Sequence, residues 1–169
     1  MPLGCVHTSY RRDVAATNWL LFLHLLGAFS FFAGAAVAGT LQLAAIRRER
    51  PSEILMLLRL TRVGVVLIGI GALFTLVFGI ALAEHIGYGL SPGWIQAALG
   101  LWVAAMAIGG IGGRTARHAR HLAERLVADG DRPSEELRAL VAHRPSLWAS
   151  YVSAATIVAI VVLMVWKPG

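Results

Sequence analysis

His24 stands in Trp19-Leu20-Leu21-Phe22-Leu23-His24-Leu25-Leu26-Gly27-Ala28, within 33 residues between Asp13 and Arg47 that carry no charge. An ionisable side chain in such a run is costly to hold in hydrocarbon. It is therefore expected to face a bundle interior or a cavity and to mark a functional site. Continued as a 3.6-residue helix, its face runs through Gly27, Ala28, Phe31, Ala35, Ala38 and Gln42, and small residues beside an imidazole leave room for a flat ligand. Three roles fit: axial ligand of a b-type haem, hydrogen-bond partner of Ser, Thr or Gln on a neighbouring helix, and proton or ion passage.

Other candidates have weaker settings. His85 follows Glu84 at the end of a second uncharged run and is a candidate second axial ligand, or else an interfacial histidine. If the first span starts near Asn18, His24 lies about 9 Å deep, whereas His85 lies near the surface. Cys5 and His7 are weak candidates for a soft metal such as copper, and as two ligands on a terminal segment they need donors from elsewhere. His118 and His121 are three apart, as metal pairs often are, but Arg114, Arg117, Arg120 and Arg125 surround them. That face is expected to be solvated or to lie against anionic lipid headgroups. Gly109-Gly110-Ile111-Gly112-Gly113 lacks the Lys-Ser/Thr partner of a phosphate loop, and no nucleophile–base pair is present. Asp and Glu are absent from the uncharged runs, which argues against a carboxylate-based carrier.

The elements that position these residues follow from composition. The AVILMFWYC set makes up 57% of the 169 residues and charged residues only 14%, against roughly 25% in soluble domains, which excludes an ordinary water-soluble globule. A net charge of +6 would permit nucleic-acid binding, but the cations are confined between long uncharged runs, so no nucleic-acid partner is expected. The lone Cys5 excludes an internal disulfide.

The uncharged runs hold 33, 21, 29 and 22 residues, each more than the ~20 needed to cross a bilayer. They predict an all-α, four-helix transmembrane bundle with spans near 18–46, 63–84, 94–113 and 146–166. It forms one domain, 18–166, behind a tail of residues 1–17. Runs such as Gly64-Val65-Val66-Leu67-Ile68 lack the alternation of barrel strands. Within the third run, 87–93 is a turn-rich loop and Pro92 a helix start. Residues 114–144 form the expected cytoplasmic connection: the third helix continues to about Val127, Asp129-Gly130-Asp131 ends it, and Pro133 opens a short helix to about Ala142. The stretch 52–62 reads as a helical lead-in to the second span. Arg50-Pro51-Ser52-Glu53 and Arg132-Pro133-Ser134-Glu135 form a faint echo between the two halves.

Twelve of the 15 Lys and Arg residues fall in the two connections 47–62 and 114–144, which the positive-inside rule assigns to the cytoplasm. Both termini and the 85–93 loop are then external, in a bacterial inner membrane; Arg11 and Arg12 pull the other way. The first run is too long for the apolar region of a signal peptide, so 18–46 is read as a retained helix. Small residues four apart, Gly71/Thr75/Gly79/Ala83, Ala105/Gly109/Gly113, Ala35/Gly39 and Ala149/Ser153, are expected at helix contacts.

Trp19 to Ala28 followed by Phe31, Phe32 and Gly34, with four spans and an Arg-rich second connection, resembles bacterial predicted integral membrane proteins grouped only as a domain of unknown function. The likeness covers roughly residues 18–166. More distantly, the Leu-His-hydrophobic-hydrophobic-Gly start of the first helix is similar to copper-resistance D-type membrane proteins and to haem-containing protoporphyrinogen oxidases. That resemblance implies a haem-ligand or metal-site role for His24 alone. The oxidases also rely on an intramembrane Lys, whereas Lys167, the one Lys here, ends the last span, a departure that counts against porphyrinogen oxidation.

Two function classes follow. One is a membrane-embedded assembly or interaction bundle, with the lipid bilayer, anionic lipids at its Arg-rich face, and a second copy or another membrane protein as partners. The other is a b-type haem redox protein, or a copper-related protein, using His24.

Overall fold

The computed structural model describes residues 4–166, with side chains from Asp13 onward except that of Ser146. In chain order these form α1 (Gly4–Ile46), α2 (Pro51–His85), α3 (Gly93–Ala128), α4 (Glu135–Val141) and α5 (Arg144–Trp166), with no strand among the described residues. The protein is all-α, and α1, α2, α3 and α5 are each long and apolar enough to cross a membrane. The helices outrun the spans read from charge alone: α1 begins at Gly4 rather than near 18, and α2 absorbs the 52–62 lead-in. The 35 residues of α2 reach about 52 Å at ~1.5 Å per residue, so its Arg-bearing first turns stand outside a ~30 Å hydrocarbon layer.

Local sequence sets the helix ends. Pro51 opens α2 behind an extended Arg50, where a missing N–H costs nothing. At the other end Gly87, at φ +84°, lets the Tyr88 N–H reach the Ala83 carbonyl at 3.0 Å and the Gly87 N–H reach Glu84 at 3.1 Å. Gly130, at φ +102°, performs the same turn after α3, with the Asp131 N–H on Leu126 at 3.0 Å. Both are Schellman closures that satisfy terminal carbonyls. Ser134 caps α4 by accepting the Leu137 N–H at 3.4 Å. The Arg-Pro-Ser-Glu echo is therefore not a structural repeat, because Pro51 lies inside α2 whereas Pro133 precedes the cap of α4.

The long helices pack as two pairs. α1 and α2 meet backbone to backbone: Gly27 and Gly34 lie against Gly71 and Gly64 respectively. Each helix offers two glycines seven residues apart, the repeat that keeps one seam facing its partner. α3 and α5 meet where the Ser153 hydroxyl donates to the Ala105 carbonyl at 3.1 Å, beside the fully buried Ala105 side chain. Of the four-apart files, Gly71, Ala105 and Ser153 lie at contacts, whereas a Cβ on Gly39 or Gly113 would meet nothing within 4 Å. Those two positions face outward, since a four-residue step drifts off a seam that repeats every seven.

At the Arg-rich end α4 seals the bundle. Leu137 and Val141 are buried with Ala45, Ile54, Leu55, Leu58, Ala119 and Ala123, and Gln42 donates to the Val141 carbonyl at 3.2 Å. A polar latch holds the adjoining turn, where the Asp131 carboxylate accepts the Ser52 N–H at 2.8 Å and its hydroxyl at 2.6 Å. Elsewhere Trp19, Phe29, Leu73, Val103 and Val158 are exposed, as suits side chains facing lipid rather than water.

Candidate functional site

Away from the α4 seal the two pairs enclose an apolar cleft of about 510 Å³, lined from α1, α2, α3 and α5. That volume falls within the range of small-molecule sites. Among the described residues the lining contains no Arg, Lys, Asp or Glu; His24, Thr75, Tyr88, Trp94 and Trp102 are its polar-tipped side chains there, and Met106 and Met164 its thioethers.

His24 reaches this cleft from a half-buried position on α1. Its Nδ1 lies 2.9 Å from the Thr75 carbonyl of α2, and because a carbonyl only accepts, Nδ1 carries the proton and donates. Gly79 makes the approach possible: a Cβ there would stand 2.8 Å from Nδ1 and 2.9 Å from Cε1. Nε2 is left with its lone pair and without a hydrogen-bond partner among the described residues. The Thr75 hydroxyl, by contrast, is buried and has no hydrogen-bond partner among the described residues, beside the space where a Gly27 Cβ would be. Other hydroxyls on these helices, Thr61 and Thr156 among them, instead bond the carbonyl four residues back. The arrangement is a fixed imidazole with one spare nitrogen at the wall of a largely apolar cleft, while the Thr75 hydroxyl is enclosed in the α1–α2 contact.

The other histidine candidates lie apart. His85 is exposed, and its Nε2 donates to the Asp13 carbonyl at 3.3 Å, tying the last turn of α2 to α1. Asp13 is 11 residues from His24 along α1, about 16 Å, whereas two ligands on one ion must come within about 4 Å of each other, given metal–imidazole bonds of ~2 Å. His85 is absent from the cleft lining. The side chains of Cys5 and His7 lie outside the described residues. His121 is exposed and pairs with Glu124 at 3.4 Å, and no three His, Cys, Asp or Glu side chains gather as a metal centre among the described residues.

Sequence reasoning placed His24 in the interior but missed Thr75 and Gly79 as its partners. The available signal was a small residue and a hydroxyl four apart on α2, a pattern that by itself reads as generic packing. It also missed the Gly27/Gly34 and Gly64/Gly71 seam, whose signal was the shared seven-residue spacing.

A family model described as "Predicted integral membrane protein (DUF2269)" matches residues 18–168. No curated protein and no solved structure matches the chain.

Proposed function

The chain belongs to the DUF2269 family of predicted integral membrane proteins, and in that setting we propose that it is a binding bundle whose cleft holds a lipid-soluble ligand anchored by His24. The observation that supports this reading is the His24 ring, oriented by the Thr75 carbonyl through Nδ1 and left with an unshared Nε2 lone pair beside apolar walls. A ring nitrogen left free at the wall of an apolar cleft is available to a ligand that enters it.

A b-type haem uses this arrangement most fully. Metal-bound histidines typically donate their second ring nitrogen to a carbonyl or carboxylate, which fixes the tautomer and strengthens the ligand. His24 would hold the iron, Thr75 would set the ring's orientation, and the apolar lining would exclude water. Bound haem would supply one-electron redox chemistry. His85 is too distant to share that iron.

The test is the spectrum of protein purified from haem-replete cells. We expect a Soret band that His24→Ala abolishes or shifts and His85→Ala leaves in place. A colourless wild type with a negative pyridine haemochrome assay overturns the haem assignment. Mass spectrometry of organic extracts then decides the broader reading: a co-purifying lipid-soluble compound retained by wild type and lost in His24→Ala supports it. Identical extracts overturn it in favour of an assembly bundle.

We also assign the Arg-rich end to the cytoplasm and both termini to the outside of a bacterial inner membrane, on the positive-inside rule. In a Cys5→Ser background, a membrane-impermeant thiol reagent on intact cells should label Ser91→Cys and spare Arg132→Cys. The reverse pattern overturns the orientation.

A further inference from the structure

Between α2 and α3, at the Arg-rich end, four charged side chains line a second cavity, of about 330 Å³ and open to the surface: the exposed Arg59 and Arg62 from α2, Arg120 and Glu124 from α3. We propose that this cavity binds a phosphate group, carried by an anionic phospholipid or by a free phosphate.

Three guanidiniums here face one carboxylate. Glu124 lies 3.8 Å from Arg59 and also 3.4 Å from His121, so its charge is shared. Arg62 and Arg120 have no carboxylate within 4 Å among the described residues. The cations cannot simply turn apart with their helices. Ile54, Leu55 and Leu58 of α2 and Ala119 and Ala123 of α3 are locked in the core that α4 seals. An oxyanion between them relieves the repulsion, and the planar guanidinium fork matches two phosphate oxygens at once.

Depth gives the second argument. Arg62 is the last charge before the uncharged run of α2, and Arg59 lies one turn before it, about 4.5 Å along the axis. Arg114 is the first charge after the run of α3, and Arg120 lies six residues beyond it, about 9 Å. Headgroup layers occupy roughly 5–8 Å on each side of the hydrocarbon. The arginines of the cavity therefore run from the hydrocarbon edge to just past the headgroup layer, a span that includes the lipid phosphates, where basic pockets between helices hold anionic headgroups. Surface arginines in general share this depth. What sets these apart is convergence from two rigid helices onto one concavity.

The experiment uses the full chain in neutral detergent, titrated with phosphatidylglycerol, phosphatidylcholine or inorganic phosphate and read by native mass spectrometry and thermal shift. Wild type should retain phosphatidylglycerol over phosphatidylcholine, and Arg62→Gln/Arg120→Gln should weaken that retention at least about tenfold. The charge-matched control Arg47→Gln/Arg132→Gln should retain it. Glu124→Gln should tighten binding, because it removes the competing carboxylate, an effect that misfolding would not produce. Stabilisation by inorganic phosphate alone, lost in the same double variant, would assign the site to free phosphate; its absence alongside phosphatidylglycerol retention assigns it to the lipid. Equal loss in the double variant and the control, or no preference in wild type, overturns the proposal.

Discussion

Gly71→Leu is expected to be the most damaging single change in the membrane-spanning part, costing about 3 kcal/mol or more. A Cβ at residue 71 would stand 2.5 Å from the Phe31 nitrogen and 2.7 Å from the Gly27 carbonyl oxygen. Both obstacles are backbone, so no rotamer change relieves them; α1 must move bodily away from α2. That movement also parts Gly34 from Gly64, where a Cβ on residue 64 would lie 2.7 Å from the Gly34 oxygen. In lipid the loss is not offset by hydrophobic burial, because association depends on close backbone approach. Gly109→Leu should cost less, since its Cβ would meet only the Ser153 hydroxyl at 3.5 Å, and Gly39→Leu should be nearly silent. Thermal unfolding in one detergent, followed by loss of monodisperse protein, ranks the three. Equal melting temperatures for Gly71→Leu and Gly39→Leu would disprove the seam.

Asp131→Asn is expected to lower stability at neutral pH and to lose that effect in acid. The Ser52 hydroxyl, then the Ser52 N–H, and more weakly the nearby Arg50 charge hold the Asp131 carboxyl below its ordinary value, against a small opposing effect of burial. A carboxylate whose folded pKa lies below the unfolded value of ~3.9 stabilises fully above that value and loses the contribution as pH falls through the folded one. The anion also meets an N–H of the first turn of α2, an otherwise orphan donor at the positive end of the helix. Asparagine is the informative replacement because Asp131 sits at φ +56°, a left-handed conformation that Asn tolerates and Ala does not. Wild type should therefore melt above Asp131→Asn at pH 7, with the two curves converging as the pH drops below the usual aspartate range. A gap that stays constant with pH would show that the charge of Asp131 is not what stabilises the latch.

The all-helical membrane bundle was legible in the chain because it rests on one-dimensional quantities. Uncharged runs longer than a bilayer's thickness force backbone groups to bond within each segment, which only a helix does for a single span. The glycines after α2 and α3 were legible for a similar reason, since a left-handed helix closure is a local demand. His24 stood out because an ionisable group has no ordinary place in hydrocarbon. Its meaning was not legible, because that depends on what lies across from it. Thr75 and Gly79 are more than fifty residues away in sequence, and the register of α1 on α2 that brings them to His24 is set by Gly27, Gly34, Gly64 and Gly71 acting as two surfaces at once. His85 shows the same limit: equally prominent as a residue type, it is sent by that register to the Asp13 carbonyl and away from the cleft. The Asp131–Ser52 latch joins two connections that each read locally as plain turns. Periodicity and charge therefore determined which segments are long and apolar enough to cross the membrane, whereas only the antiparallel packing of α1 on α2, and of that pair on α3 and α5, decided which polar atoms meet and which stay unpaired.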